Sequence, residues 1–352
     1  MKANEYNKNI TCESKQQKEI LMSKLTIYDI SKLSGVSITT VSRVLNGNEH
    51  VNPQTRAKIE DVIKKHEYIP QQKARNFSNK KQYAVGLMMD DIRHAYMSEL
   101  AFAIIEQLQS MDVNAVVCNI TNVEKEFADK VDKLLEKHNN GIILMGSVFE
   151  NELCRLVIER RYTDFPFVAV NANFAMPNVR EIMQDHVQGL GDAVHYLYQL
   201  GRRRIGWVFY NRSHSDRKKN EGFIRAMEQC GMIPDRTYQV ETLSRTAGGL
   251  ATKEMMVRYP DLDAIVYSSD ILAVGGVHVL NDMGINIPGH IAVIGFNNSS
   301  CAIDCYPQLT SIDNRIADSG TIAARMMVDI LNKQEVENKM LKCGLVIRKS
   351  TE

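Results

Sequence analysis

Between Ser37 and Leu45 the chain reads SITTVSRVL, a short run with two chemically different faces. At helical spacing Val41, Val44 and Leu45 fall on one side. Ile38, Thr39, Thr40, Ser42 and Arg43 fall on the other. The second face is suited to a DNA major groove. A guanidinium such as Arg43 can donate two parallel hydrogen bonds to guanine O6 and N7, and small hydroxyls allow close approach to phosphates. A helix N-terminus at Ser37 adds partial positive charge near a phosphate backbone. By composition alone the same run also fits a packed helical cap with no ligand.

The flanking residues predict the elements that would hold this face. Thr26 is a cap for a helix carrying Ile27, Ile30 and Leu33 on one side, and Gly35 breaks it with a tight turn. Ser37 caps the second helix, Ile38 to Leu45, which ends at Asn46-Gly47. Asn52-Pro53 opens a third helix through His66. Two short helices about a glycine turn with a supporting third follow helix-turn-helix logic.

Charge supports a division of labour. The 352 residues carry a formal charge of +1, yet residues 1–81 hold 15 basic and 8 acidic side chains, a balance of +7. The remaining 271 residues carry −6. A basic head on an acidic body places any polyanion at the head. Residues 1–22 are polar and aperiodic and read as a disordered extension, with Met22 a candidate second start. They lack the apolar core of a secretory signal, which predicts a cytoplasmic protein. Seven cysteines with no C-x-x-C pair argue against a disulfide framework or structural zinc, and no metal or cofactor is expected.

From Tyr83 onward short apolar runs alternate with helical patterns. Strands are expected at Ala84–Met89, Asn114–Asn119, Gly141–Met145, Phe167–Val170, Arg204–Phe209, Tyr238–Glu241, Ala264–Tyr267 and Ile291–Gly295. Helical spacing runs through Ser98–Met111, Val123–His138 and Ile271–Met283. The alternation predicts an α/β body of two doubly wound parallel-sheet lobes. Ligands of such sheets bind beyond the strands' carboxyl ends. Those positions read Asp90-Asp91, Gly146-Ser147, Asn171, Ser268-Ser269-Asp270 and Asn297-Asn298. They both donate and accept, which suits a sugar, although the same residue types are common in any loop.

The run from Leu25 to Gly47, LTIYDISKLSGVSITTVSRVLNG, with VNPQTR at 51–56 and HEYIP at 66–70, closely resembles the DNA-binding head of the lactose-repressor (LacI/GalR) family. The resemblance implies a homodimer on a pseudo-palindromic operator in double-stranded DNA, with Ile38, Thr39 and Arg43 facing bases. It places Ser37, Thr40, Ser42, Asn46, Asn52, Thr55 and Tyr68 near phosphates, and adds Thr26, Ile27, Tyr28 and His50 to the DNA face. Residues 71–81 correspond to the family's hinge helix, which enters the minor groove. Ala74 lies within that segment, and Phe77 stands where the wedging leucine usually is. Eight residues are too few for a helix stable alone, so the hinge should order only when paired and bound.

The resemblance continues through the body. LGRRRI at 200–205, GFIRA at 222–226, IGFNN at 294–298, PQLTSI at 307–312 and VIRKST at 346–351 all have family counterparts, the last as a C-terminal strand. The IGFNN and LTSID runs are similar to maltose-type regulators within the family. The implied organisation is a disordered 1–22, a DNA-binding domain at 23–70, a hinge at 71–81 and an effector-binding, dimerising body at 82–352. Its first lobe would span 82–183 plus 313–339, and its second 184–312 plus 340–352.

The implied effector residues are Asp91, Arg93, Tyr96, Asn171, Lys219, Leu243, Ser269, Asp270, Asn297 and Asn314. Asn171 and Asn297 stand where many members carry aspartate, Lys219 where an arginine grips sugar hydroxyls, and Leu243 where some stack an aromatic ring. Fewer carboxylates beside Lys219 and Arg93 favour a neutral sugar or a sugar phosphate. The expected function is a transcriptional regulator, a repressor, tuned by such a small molecule. Only Glu352 follows Thr351, with no heptad tail, so a dimer and no tetramer is expected.

Three other readings share parts of this pattern. Control by a phosphorylated carrier protein, as in the family's catabolite control protein, would involve a surface near Arg325. A sugar-binding transport or sensory protein would share the clamp, but it would need export and would have no use for the basic head. An enzyme is disfavoured because there is no dinucleotide fingerprint, phosphate loop or nucleophile elbow. His186, His195, His214 and His278 read as core or surface residues, and Met255-Met256 and Met326-Met327 as core filler.

Overall fold

The computed structural model describes residues 25–45, 50–66, 68 and 83–352, which fall in two compact units divided after Lys81. The expected extension at 1–22 and hinge at 71–81 lie outside the described residues.

The head contains α1 (Ile27–Ser34), α2 (Ile38–Leu45) and α3 (Pro53–Lys65). Local chemistry sets each boundary. The Asp29 carboxylate accepts from the Thr26 amide at 2.8 Å and its hydroxyl at 2.6 Å, anchoring the start of α1. Gly35 ends it at φ +64°, a left-handed conformation that costs glycine nothing. Asn52 Oδ1 accepts from the Gln54 amide at 2.9 Å, and Pro53 takes the first turn of α3. Ile30, Val41, Val44, Ile59 and Tyr68 are the buried side chains of the small core. The expected α1 stripe is corrected at one position. Leu33 is 50 % exposed, and Ser34 is buried in its place, its hydroxyl donating to the Ile30 carbonyl at 2.7 Å. The core is centred on Ile30, and its i+4 neighbour points into it rather than i+3.

The body holds two six-stranded sheets. The first contains β1 (Ala84–Met89), β2 (Asn114–Asn119), β3 (Gly141–Met145), β4 (Phe167–Val170), β5 (Val179–Asp185) and β11 (Lys339–Lys342). Their order is β11-β5-β4-β3-β1-β2, all parallel. The second contains β6 (Ile205–Tyr210), β7 (Thr237–Val240), β8 (Ala264–Tyr267), β9 (Ala292–Phe296), β10 (Thr310–Asp313) and β12 (Gly344–Val346). Their order is β12-β10-β9-β8-β6-β7, parallel except for β12. Helices cover both faces, so β3 and β9 are buried along their whole length and read as continuous apolar runs.

The helices of the body are α4 (Ala95–Ser110), α5 (Val123–Glu136), α6 (Glu152–Arg161), α7 (His186–Gln199), α8 (His214–Gln229), α9 (Arg245–Arg258), α10 (Asp270–Asp282), α11 (Ser300–Asp304) and α12 (Ile316–Leu331). Met255, Met256, Met326 and Met327 are buried core residues. Helices α9 and α10 pack backbone to backbone, which glycine alone permits. A Cβ on Gly248 would collide with the Leu272 carbonyl, and one on Gly275 with that of Arg245.

Three strands, β5, β10 and β11, are additional to the eight expected from the pattern and the C-terminal strand implied by the resemblance. β5 carries Arg180, Glu181 and Asp185, and β10 is only TSID, so neither shows the apolar run that marks a buried strand. Their buried polar side chains, Glu181, Gln184, Thr310 and Ser311, bond to partners that the sequence does not reveal. β11 pairs with the first sheet through Lys342, so that sheet extends past the 339 boundary expected for its lobe, as β5 extends past 183. The C-terminal strand covers Gly344–Val346 rather than 346–351, because Ser350 instead bonds across to Val293 and Thr310.

Candidate functional site

Two surfaces carry chemistry, one in each unit. On the head, α2 turns Val41 and Val44 inward and leaves Ile38, Thr39 and Arg43 exposed, with Thr40 and Ser42 half-buried. Ser37 caps this helix, its Oγ lying 3.3 Å from the Thr40 amide and 2.9 Å from the Thr40 hydroxyl. Thr26, Tyr28, His50 and Asn52 are exposed, and Ile27 and Thr55 half-buried. Tyr68 differs from the others: it is 7 % exposed and its ring belongs to the head's core. Asn46, Ala74 and Phe77 lie outside the described residues.

In the body, the carboxyl ends of the two sheets face each other across a cleft of about 950 Å³. Arg93, Tyr96, Asn171, Lys219, Leu243, Ser269, Asn297 and Asn314 all line it. Topology brings them together. Asn171 follows β4, Asn297 follows β9 and Asn314 follows β10, each at the end of a strand. Asn171 and Asn297 have φ values of +60° and +110°, a region that asparagine tolerates better than most side chains.

Lys219 is the most telling residue. It is 8 % exposed, its ammonium donates to the Ser268 carbonyl at 3.2 Å, and it sits 4.3 Å from the centre of the Phe296 ring. Burial holds its pKa below the ordinary lysine value, opposed by Asp216, Cys343 and Asp270. No carboxylate among the described residues forms an ion pair with it. Two further polar atoms of the cleft, Tyr96 Oη and Asn171 Oδ1, are buried without a well-formed hydrogen bond, the tyrosine hydroxyl lying beside the Asn171 side chain. Buried polar atoms without partners are uncommon, and their convergence with a buried ammonium that has one protein acceptor and no carboxylate marks a place for a ligand.

Two expected effector residues are corrected. Asp270 does not line the cleft. It is 1 % exposed, its Oδ1 accepting from the Ser311 hydroxyl at 2.6 Å and its Oδ2 from the Ser299 amide and hydroxyl at 2.8 Å each. Its carboxylate braces the loop after β9 against β10. Asp91 also stays off the cleft wall, its carboxylate engaged by the Arg93 guanidinium at 2.7 Å; Asp90 lines the wall instead.

Sequence reasoning missed Glu150, Tyr210, His214 and Ser215, all of which line the cleft. Their signal was available: Glu150 follows β3, Tyr210 ends β6, and His214 and Ser215 follow it, where the strand-end rule points. Three of them also join the lobes. His214 Nδ1 lies 3.3 Å from Glu150 Oε1, and Asn171 Nδ2 lies 3.3 Å from Ser215 Oγ. A third bridge runs from the Ser300 amide to Glu99 on α4 at 2.8 Å.

Burial pushes Asp270 up to about 6 from 3.8, with the Ser311 and Ser299 hydrogen bonds pulling the other way. The folded state therefore holds one more proton than the unfolded chain between these values, and stability falls as pH rises through that window. Asp270→Asn, neutral throughout, is expected to flatten that fall in urea midpoints taken from about pH 4 to 6. An unchanged slope would assign the effect elsewhere.

Among the described residues no group of three or more His, Cys, Asp and Glu can hold a metal ion, and no helix is long and apolar enough to cross a membrane.

Residues 26–71 match the model of bacterial regulatory proteins of the lacI family, and residues 194–351 match a periplasmic binding protein-like domain. Catabolite control protein A of Priestia megaterium is 30 % identical over 322 residues, covering 90 % of this chain and 96 % of that protein. Among solved structures, the lac repressor dimer bound to operator and the anti-inducer ONPF shares the fold, with TM-score 0.81 and 23 % identity over 94 % of this chain and 99 % of that one. So does the transcriptional regulator CelR in complex with cellobiose, with TM-score 0.68 and 23 % identity over 93 % and 99 %. With a helix-turn-helix head whose exposed face matches the groove chemistry, and relatives that are regulators rather than enzymes, the chain belongs to the lacI family of bacterial regulatory proteins and is a DNA-binding transcriptional regulator.

Proposed function

We propose that this regulator is a cytoplasmic homodimeric repressor, and that a sugar or sugar phosphate bound between the lobes sets its affinity for a pseudo-palindromic operator. One observation carries the reading: the buried Lys219 ammonium, unpaired by any carboxylate among the described residues, converges with two buried polar atoms that lack well-formed hydrogen bonds inside an interlobar cavity. A buried ammonium is costly unless something accepts its hydrogen bonds, and a ligand oxygen does so. The lac repressor and CelR neighbours were solved with ONPF and cellobiose respectively, which supports a small polyhydroxylated ligand here.

On the head, Ile38, Thr39 and Arg43 read bases, while Ser37, Thr40, Ser42, Asn52 and Thr55 hold phosphates. Two heads on one operator bring two such faces to successive major grooves. The effector acts by differential affinity. The lobes are bridged by His214–Glu150, Ser215–Asn171 and Ser300–Glu99 contacts, and a ligand that binds one lobe arrangement more tightly shifts the population towards it.

Lys219→Ala tests the cleft. A charge-assisted hydrogen bond is lost, so effector affinity is expected to fall about 10- to 100-fold. The measurement is a thermal-shift titration of the full chain with the sugar or sugar phosphate that most raises the wild-type melting temperature. Operator binding without ligand should stay within about twofold, since the head makes that contact. An unaltered response in the variant would reject the cleft as the effector site.

A further inference from the structure

The floor of the cleft is crossed by one continuous chain of side-chain hydrogen bonds. Asn171 Nδ2 lies 3.3 Å from Ser215 Oγ, which lies 3.1 Å from His186 Nδ1. On the other side of the ring, His186 Nε2 lies 3.0 Å from Asn314 Oδ1, and Asn314 Nδ2 lies 3.3 Å from Asn297 Oδ1. The five residues come from the ends of β4, β9 and β10 and the starts of α7 and α8, so the chain spans both lobes and the strands between them.

Each link fixes the next. Asn314 uses its Nδ2 towards Asn297 and presents Oδ1 to the imidazole, so Nε2 must carry hydrogen. A neutral ring then has only a lone pair at Nδ1, which accepts the Ser215 hydroxyl proton. The Ser215 oxygen in turn accepts from Asn171 Nδ2. Asn171 is left with its carbonyl oxygen buried and without a well-formed hydrogen bond, lining the cleft beside the Tyr96 hydroxyl. Reversing one member would set two donors or two acceptors against each other, so the chain holds one direction or wholly reverses.

We propose that His186, held as the neutral Nε2–H tautomer, is a positioning residue that sets the hydrogen-bonding polarity of the cleft and so selects a ligand that offers a hydroxyl donor to Asn171. This rests on the cleft being the effector site. Asn171 then supplies an acceptor and Lys219 a donor, the pairing that a neutral polyol face satisfies, because each hydroxyl both gives and takes. A bare carboxylate or phosphate oxygen can meet Lys219 but opposes the Asn171 carbonyl.

The surroundings of His186 keep it neutral. It is 3 % exposed, and the Phe296 ring meets it edge-on at 5.4 Å. Burial pushes its pKa down to about 3; the charges of Lys219 and His214 act the same way, and the Asn314 hydrogen bond opposes them. The imidazole therefore works here as a fixed director of hydrogen bonds and not as a pH switch.

The test is ¹⁵N NMR of the histidine-labelled full chain, with the His186 signals assigned by their loss in His186→Gln. The expected pattern is a protonated Nε2 and an unprotonated Nδ1, unchanged from about pH 5 to 8. Ser215→Ala should move the Nδ1 resonance and leave Nε2 in place. A protonated Nδ1 means that the chain runs in reverse, and a doubly protonated ring means that it is broken; either overturns the proposal. For the ligand arm, glucose, cellobiose, ribose and glucose 6-phosphate are screened by thermal shift. The best of them should bind about tenfold more weakly to Ser215→Ala. Equal binding overturns the selecting role even with the tautomer as expected, and so does glucose 6-phosphate held through its phosphate at Asn171. If none of the four shifts the melting temperature, the effector reading fails by itself, and the tautomer still decides the chain.

Discussion

Arg43→Ala is expected to lower the preference for operator over random duplex by about 100-fold. A bidentate arginine–guanine contact contributes about 1–3 kcal/mol of discrimination, and a dimer makes it twice. The residue stands on the exposed face of α2, with the buried Val41 and Val44 fixing the helix beneath it. Truncating Arg43 removes no core contact, so the head's melting transition should not move. Competition binding between operator and a scrambled duplex at one salt concentration checks the result. An unchanged ratio would show that α2 does not read bases. Thr40→Ala provides the contrast: a lost phosphate contact weakens both duplexes alike and leaves the ratio where it was.

Salt should have the larger effect. Between about 50 and 200 mM monovalent salt, operator affinity is expected to fall by about 10³ to 10⁵, the range for six to ten neutralised phosphates. The charge distribution is the reason. Residues 1–81 carry +7, and two copies would meet one operator, while the rest of each chain carries −6 and adds no attraction. Releasing condensed counterions from DNA drives the association, and added salt removes that advantage. A fluorescence-anisotropy titration at several salt concentrations gives the slope directly. A flat line would mean that the basic head is a solvated face and that its net charge does not act on DNA.

These two expectations stand on residues that the sequence alone exposes. The head is legible because its signals are local: Thr26, Gly35, Ser37 and Asn52-Pro53 cap and break helices through contacts with neighbours two to five residues away. The strand ends were legible for the same reason, and eight of the ten expected effector residues line the cleft. The two that do not, Asp91 and Asp270, show where this reasoning stops. Both sit beside a strand end, as the rule requires. Asp270 is nevertheless taken up by Ser299 and Ser311, 29 and 41 residues further on, and Asp91 by Arg93. Adjacency to a strand end cannot tell a side chain aimed at the cavity from one that braces its wall.

The amino-acid sequence by itself determined the division into a basic reader and an acidic α/β body, the helix boundaries of the head and the strand ends that face a ligand, because periodicity, capping and charge act over a few residues. Tertiary structure alone decided which polar groups are free to meet that ligand. Glu150 and His214 join across the cleft, Lys219 is left without a carboxylate among the described residues, and Asn171, Ser215, His186, Asn314 and Asn297 link into one chain, although they lie up to 143 residues apart. The direction of a hydrogen bond depends on what its partner already does with its other atoms, and that is settled only when distant strands are brought side by side.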